Sequence, residues 1–400
     1  MTHFILWINL FVFALMPVLQ NSGDLEARAR EFLDQLVQGQ YEAAVQDFDQ
    51  TMLSVIPPDR LKAVWEETVA SYGAFEEVTA VEQVVDDPYT AVILKSRFER
   101  AVVNVRVTFT TSTGEISGLF FTPVEAIGGI SPGFLAAMGV SAVFVILYPI
   151  VLGIITNRRW GVSWRIFLIG AGIFIIFQLV TRIPLISVAQ VYLTPLIQSS
   201  RAFSFAWIVF LSLTAGLFEE FGRYVGYRWM LPRDPKTWKT GVMYGLGHGG
   251  IEAIVLVGVT QVVTFVILSL FPVLQGSLPA EVLAPLSQTV AAAAGSPDYL
   301  PLLAAWERLW TVLFHVALSL IVLQVFRRGR FAWIWAAVAL HTAGNLFVIG
   351  IPMLFTLGTQ SSALLSSALI LIVGLFAVWI IWRLRKDEDE VEVASAAVEG

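Results

Sequence analysis

The chain has 400 residues, of which 56% are apolar, only 14% are Asp, Glu, Lys or Arg, and none is cysteine. That balance excludes an ordinary soluble domain and places much of the chain in lipid. The missing cysteines exclude disulfides, thiolate metal sites and a cysteine nucleophile. The net charge of -6, without a basic patch, gives no sign of a nucleic-acid partner.

Residues 1–22 contain an apolar run from Phe4 to Leu19 that reads as a signal peptide or an anchor helix, the poor cleavage pattern favouring the anchor. Residues 23–126 follow as an expected extracytoplasmic α+β domain. Helical patterns surround Phe32 and Leu36, Tyr41 to Phe48, and Leu61 to Val69. Alternating stretches at Glu77 to Val85, Ala91 to Phe98, Val102 to Thr111 and Ile116 to Phe121 predict four strands, with helices on one curved antiparallel sheet. Gly128, Gly129, Ser131, Pro132 and Gly133 form a linker.

Residues 127–386 are expected to be a multi-pass membrane domain. Seven apolar segments, at about 134–156, 163–183, 204–226, 240–271, 305–325, 331–355 and 362–384, are each long enough to cross roughly 30 Å of hydrocarbon. The fourth exceeds one straight span, and a kink or break is expected near Gly245, Gly247, Gly249 and Gly250. Every second connection is basic: Arg158, Arg159 and Arg165, then Arg228, Arg233, Lys236 and Lys239, then Arg327, Arg328 and Arg330, then Arg383, Arg385 and Lys386. The positive-inside rule makes that side cytoplasmic, which predicts a plasma-membrane protein with its α+β domain outside. The acidic tail, residues 387–400, would then lie inside.

Charge buried in hydrocarbon costs a few kcal/mol or more, so ionisable residues within spans are functional candidates. The third span carries Glu219, Glu220 and Arg223, the fourth His248 and Glu252, the fifth His315, and the sixth His341 and Asn345. Counted from the basic ends, Glu219 and the three histidines share one depth, roughly 12 to 17 Å at about 1.5 Å per residue. Glu219 and Arg223, His248 and Glu252, and His341 and Asn345 are i,i+4 pairs, each on one helix face. Two adjacent carboxylates cannot both be satisfied by one arginine. One is therefore expected to hold Arg223 while the other faces a cavity.

Each position also has a structural reading. Glu219 or Glu220 with Arg223 could be an ion pair locking helices, His248 a packing histidine, and His341 with Asn345 an interhelical clasp or an oxyanion donor pair. Glu252 could orient His248 or take part directly, and His315 stands alone on its span. No Gly-x-Ser-x-Gly element supports a serine nucleophile.

At these residues the chain resembles the CAAX prenyl protease and bacteriocin-processing (CPBP, or Abi) superfamily, and more closely its YhfC-like branch of intramembrane peptidases. The resemblance rests on Glu219-Glu220-Phe221-Gly222-Arg223, Tyr244-Gly245-Leu246-Gly247-His248 and His341-Thr342-Ala343-Gly344-Asn345, in that order. One departure is that Arg223 follows the Glu pair after two residues, where CAAX proteases have three. The amino-terminal region resembles a small cone-shaped domain like nuclear transport factor. The resemblance implies a glutamic-type intramembrane endopeptidase without a cofactor: Glu219 activates water, His248 positions it, His341 and Asn345 stabilise the oxyanion, and Glu220 and Arg223 support them. Its substrate would be a peptide or a membrane-anchored protein. A zinc protease with three or four ligands from His248, His315 and His341 with one Glu is the alternative within catalysis. A proton- or ion-coupled transporter and a ligand-binding membrane receptor are the alternatives outside it.

Overall fold

A computed structural model of the chain describes residues 24–127, 129–355 and 359–399. The expected signal peptide or anchor, residues 1–22, lies outside the described residues, as does Gly128 of the expected linker. The chain divides into two compact units, one of residues 1–134 with 268–298, the other of residues 135–267 with 299–400.

The first unit is an α+β domain. Helix α1, residues 24–37, buries Leu25, Ala29, Phe32, Leu33 and Leu36, a spacing that keeps one helical face apolar. The expected helix from Tyr41 to Phe48 is shorter. It forms α2 (Tyr41–Ala44) and a single tight turn, and Asp49 then caps α3 (Gln50–Val55) by accepting from the Met52 amide at 2.6 Å. Helix α4 (Pro58–Tyr72) begins on a proline that needs no amide partner there, and turns Leu61 and Trp65 inward.

Strands β1 (Phe75–Asp86), β2 (Tyr89–Phe98), β3 (Ala101–Thr110) and β4 (Ile116–Ala126) form an antiparallel meander in sequence order. Val103, Val105, Val107 and Phe109 alternate onto the buried face of β3, with Leu94 opposite Val105 and Val92 opposite Val107. Trp65 packs against Phe98 and Phe121, joining α4 to the sheet, and Phe32 of α1 packs against Phe48. Leu94 is wholly buried. Leu94→Ala is therefore expected to cost about 3 kcal/mol, read as faster amide exchange across β2 and β3.

The expected membrane domain runs unbroken from residue 127 to 386. Instead residues 268–298 cluster with the α+β domain, where α11 (Ala280–Ala294) packs on β4 and β3 and buries Val290 and Ala291.

The second unit is a helical membrane domain. Seven helices among the described residues are long and apolar enough to cross a membrane: Pro132–Trp160, Trp164–Ile197, Ala202–Met230, Trp238–Ser277, Leu300–Arg328, Ala332–Leu354 and Gln360–Asp387. The first is α5 (Pro132–Trp160). The second joins α6 (Trp164–Phe174) to α7 (Ile183–Ser199) through a wider π-helical stretch, Ile175–Arg182. The third is α8 (Arg201–Val225) with a π-helical end, Gly226–Met230. In the fourth, α9 (Trp238–Glu252) runs straight through its glycines, and the irregularity sits beyond them at Ala253–Gly258, before α10 (Val259–Leu274). The expected break at Gly245 to Gly250 is thus corrected.

The fifth span is α12 (Leu300–Arg328). The sixth joins α13 (Ala332–Asn345) through π-helical Leu346–Gly350 to α14 (Ile351–Leu354), and the last is α15 (Thr359–Glu399). Val140, Val143, Leu147 and Val151 form an exposed apolar stripe on α5, and Ile372, Leu375, Trp379 and Trp382 another on α15. Such stripes suit lipid rather than water. Helices α9 and α12 lie at the centre: Thr240 through Gly250 are all buried, as is Phe314 through Gln324.

Close approach makes that centre. A methyl at Gly247 would overlap the Phe167 carbonyl oxygen of α6. On another face of α9, a Cβ at Gly245 would lie 2.6 Å from the Val316 Cα, and one at Gly249 would lie 2.7 Å from the His315 Cβ. Small residues at i and i+4 thus bring α9 and α12 nearly into backbone contact, which suits a solvent that supplies no hydrophobic drive between helices.

Candidate active site

Helix α8 supplies Glu219, Glu220 and Arg223. All three are buried, with Arg223 and Glu220 wholly so. Arg223 lies one turn beyond both carboxylates: its Nη1 donates to Glu220 Oε1 and its Nη2 lies 3.5 Å from Glu219 Oε2. One guanidinium thus spans both acids, despite the shortened spacing in the sequence.

Helix α9 adds His248, whose Nε2 lies 3.0 Å from Glu219 Oε2. Helix α12 adds His315, whose Nδ1 is 2.6 Å from Arg223 Nη2 and 3.6 Å from Glu219 Oε2. Arginine only donates, so His315 Nδ1 accepts and its proton sits on Nε2. That Nε2 faces Glu252 Oε2 at 2.7 Å, while Glu252 Oε1 takes a hydrogen bond from Arg308 at 3.0 Å. Glu252 therefore orients His315, not the neighbouring His248. The helix glycines explain why: they admit α12 against the face that carries both residues.

Helix α13 brings His341 from the opposite side. Its Nδ1 lies 2.7 Å from Glu220 Oε1, and its Nε2 lies 4.0 Å from Glu219 Oε1. Glu220 is therefore shared by Arg223 and His341. Asn345, one turn on, lines a cavity of about 510 Å³ with Glu219, Glu252, His315 and His341. Polar and apolar side chains of α8, α12, the Leu346–Gly350 stretch and α15, among them Leu211, Glu307, Phe314, Val348 and Ile370, complete its wall. Glu219 faces this cavity and Glu220 does not, a division the geometry makes through their different helix faces.

Two further residues belong to this network and were not singled out in the sequence. Gln178 Nε2 donates to Glu219 Oε1 at 2.9 Å, and Arg182 Nη1 donates to Gln178 Oε1 at 3.3 Å. Both are buried and both line the cavity. The signal was present: a polar i,i+4 pair in an otherwise apolar span, like the pairs that marked the other helices.

Residues 144–371 match the family described as YhfC intramembrane metalloprotease, and that stretch holds every residue of the site. The chain belongs to this YhfC family. It is therefore a membrane protein and an intramembrane protease, and the transporter and receptor readings give way. Residues 29–119 match a second family, described as a protein of unknown function (DUF3887). The uncharacterized membrane protein YhfC of Bacillus subtilis (strain 168) is 27% identical over 254 residues, covering 61% of this chain and 94% of that protein. No solved structure matches the chain.

The YhfC description implies a metal, and the donors here fit one. Glu219, His248 and His315 each offer a ligand atom, and these atoms lie within 4.8 Å of one another. Separations of 3.0 and 3.6 Å from Glu219 Oε2 bracket the roughly 3.3 Å between two ligands of a tetrahedral ion held at about 2.0–2.1 Å. His315 already has the tautomer of a ligand, its lone pair on Nδ1 and its other nitrogen on a carboxylate. Buried polar atoms around the cluster, among them Glu220 Oε2, Arg223 Nε, Tyr244 Oη and His248 Nδ1, have no hydrogen-bond partner among the described residues. Arg223 Nη2 faces the His315 lone pair at 2.6 Å, so a metal ion at that nitrogen would have to displace this contact. Of the three expected zinc ligands, His248 and His315 join this set. His341 is instead held by Glu220, and Glu219 takes the third place.

Proposed function

We propose that this protein is a metal-dependent intramembrane endopeptidase whose ion, zinc by its donor chemistry, is held by Glu219 Oε2, His248 Nε2 and His315 Nδ1. The convergence of the two histidine nitrogens on one oxygen of Glu219 carries the reading. A zinc ion bound there would polarise the scissile carbonyl and make water a nucleophile near neutral pH.

The chain's own residues supply the rest. Glu220 accepts from His341 Nδ1 and turns His341 Nε2 toward the cavity. From there His341 takes a proton from the attacking water and gives it to the amide nitrogen as the carbon–nitrogen bond breaks. Asn345 donates to the oxygen that becomes negative in the tetrahedral intermediate. Glu252 fixes the ring of His315. The substrate is a peptide segment of a membrane-anchored protein. The alternating basic loops support a plasma-membrane orientation with the α+β domain outside and the C-terminus in the cytoplasm.

The 2.6 Å contact of Arg223 with His315 Nδ1 favours a second reading, in which the guanidinium is the permanent cation. Glu219 then activates water without a metal, as the CAAX-protease likeness implies. Metal analysis separates the two. Purified active protein is expected to carry about one zinc per chain, and chelation followed by zinc should abolish and restore cleavage. Cleavage sites come from terminal-peptide mapping of membranes with and without the protein. Full activity in a metal-free preparation would establish the second reading.

A further inference from the structure

The π-helical stretches fall beside the site. Gly226–Met230 follows Arg223, Ala253–Gly258 follows Glu252, and Leu346–Gly350 follows Asn345. Such stretches are rare and concentrate at functional sites. The remaining one among the described residues, Ile175–Arg182, carries Gln178 and Arg182.

We infer that Gln178 and Arg182 are a positioning pair that occupies one oxygen of Glu219 and leaves a single oxygen for His248 and His315. The terminal torsion of a glutamate is broad, so an unrestrained carboxylate could turn both oxygens toward the two histidines. Here that rotation is restrained. Arg182 is pinned to α8 by Nε on Thr214 Oγ1 at 3.1 Å and Nη2 on the Leu211 carbonyl at 2.6 Å. Its Nη1 can only donate, so Gln178 must turn Oε1 toward Arg182 and Nε2 toward Glu219. Glu219 Oε1 is thereby occupied, and Oε2 alone faces His248 and His315.

The pair closes a loop from α8, through the π-helical turn, back to α8 one turn further on. It makes Glu219 a one-oxygen ligand in the metal-dependent reading and a fixed base in the metal-free one. The metal arm of the test rests on the proposed zinc reading, whereas the cleavage arm does not.

The test uses the full chain in detergent, comparing Gln178→Leu and Gln178→Glu with wild type. Zinc affinity is measured by competition with a chromophoric chelator, and cobalt replaces zinc for the visible spectrum. Gln178→Leu is expected to weaken zinc binding about 10- to 100-fold, the range for outer partners of a ligand. Its cobalt band should change as the second oxygen becomes available. On a reporter built from a mapped cleavage site, kcat should fall by a similar factor with KM within about twofold.

Gln178→Glu keeps the volume should the leucine variant fail to fold. Its kcat should recover as pH falls, because a protonated carboxyl can donate to Glu219 and a carboxylate cannot. A merely structural clasp would change melting temperature without changing the cobalt band, the pH profile or kcat. That outcome would overturn the assignment. Absence of zinc binding by active wild type would sink the metal reading instead, leaving kcat and its pH profile to decide on the pair.

Discussion

Glu219→Gln is expected to reduce cleavage about a thousandfold or more, the scale seen when the central member of a catalytic unit is removed. The substitution keeps the size of the side chain and removes its charge. Glu219 receives Gln178 on one oxygen, and its other oxygen faces His248, His315 and Arg223. An amide can satisfy Gln178 with its oxygen only by turning its NH2 toward Arg223 and the histidines, which replaces an acceptor by a donor. The metal-dependent reading loses its shared ligand, and zinc affinity should fall with activity. The metal-free reading loses its base. Cleavage of the mapped reporter by purified protein measures the effect. Retained cleavage would remove Glu219 from the centre of either mechanism.

Gly247→Ala is expected to prevent the membrane domain from packing. The added methyl meets the backbone carbonyl oxygen of Phe167, and no side-chain rotation can relieve a clash with main chain. Helices α6 and α9 would have to separate, at a cost of about 3 kcal/mol or more. Loss of the monodisperse, detergent-soluble protein reports this directly. Gly172→Ala is the control, because a Cβ there meets nothing within 4 Å. Alanine should leave α6 intact, and by helix propensity strengthen it by up to about 1 kcal/mol. Equal behaviour of the two variants would mean that α6 and α9 are not in the close contact described.

The spans and the polar cluster were legible for one reason. Lipid tolerates few charges, so Glu219, Glu220, Arg223, His248, Glu252, His315 and His341 stand out from their surroundings. Their pairing was less legible. Glu252 shares a helix face with His248 but engages His315, because Gly245 and Gly249 admit α12, and such closeness is a tertiary fact. Arg223 likewise reaches both carboxylates and His315, which no spacing along one helix specifies.

Gln178 and Arg182 were hidden differently. Glutamine is not ionisable, and the second span was expected to end at about residue 183, putting Arg182 at its boundary. In the structure the helix continues to Ser199, since Pro184 lies in the first turn of α7, beyond the π-helical stretch. The four strands were readable from alternation because β2 and β3 bury one face. Helix α11 was not, because a Pro-flanked, Ala-rich segment between two spans reads as a connection until its partner strands are known.

The placement of α11 orders events during synthesis. Strands β3 and β4 leave the ribosome early, but the helix that covers them is encoded after the first four spans. The α+β domain therefore cannot be completed as the chain emerges. Part of its sheet stays bare while four of the seven spans emerge, and a chain truncated before residue 294 would leave that face of the sheet open.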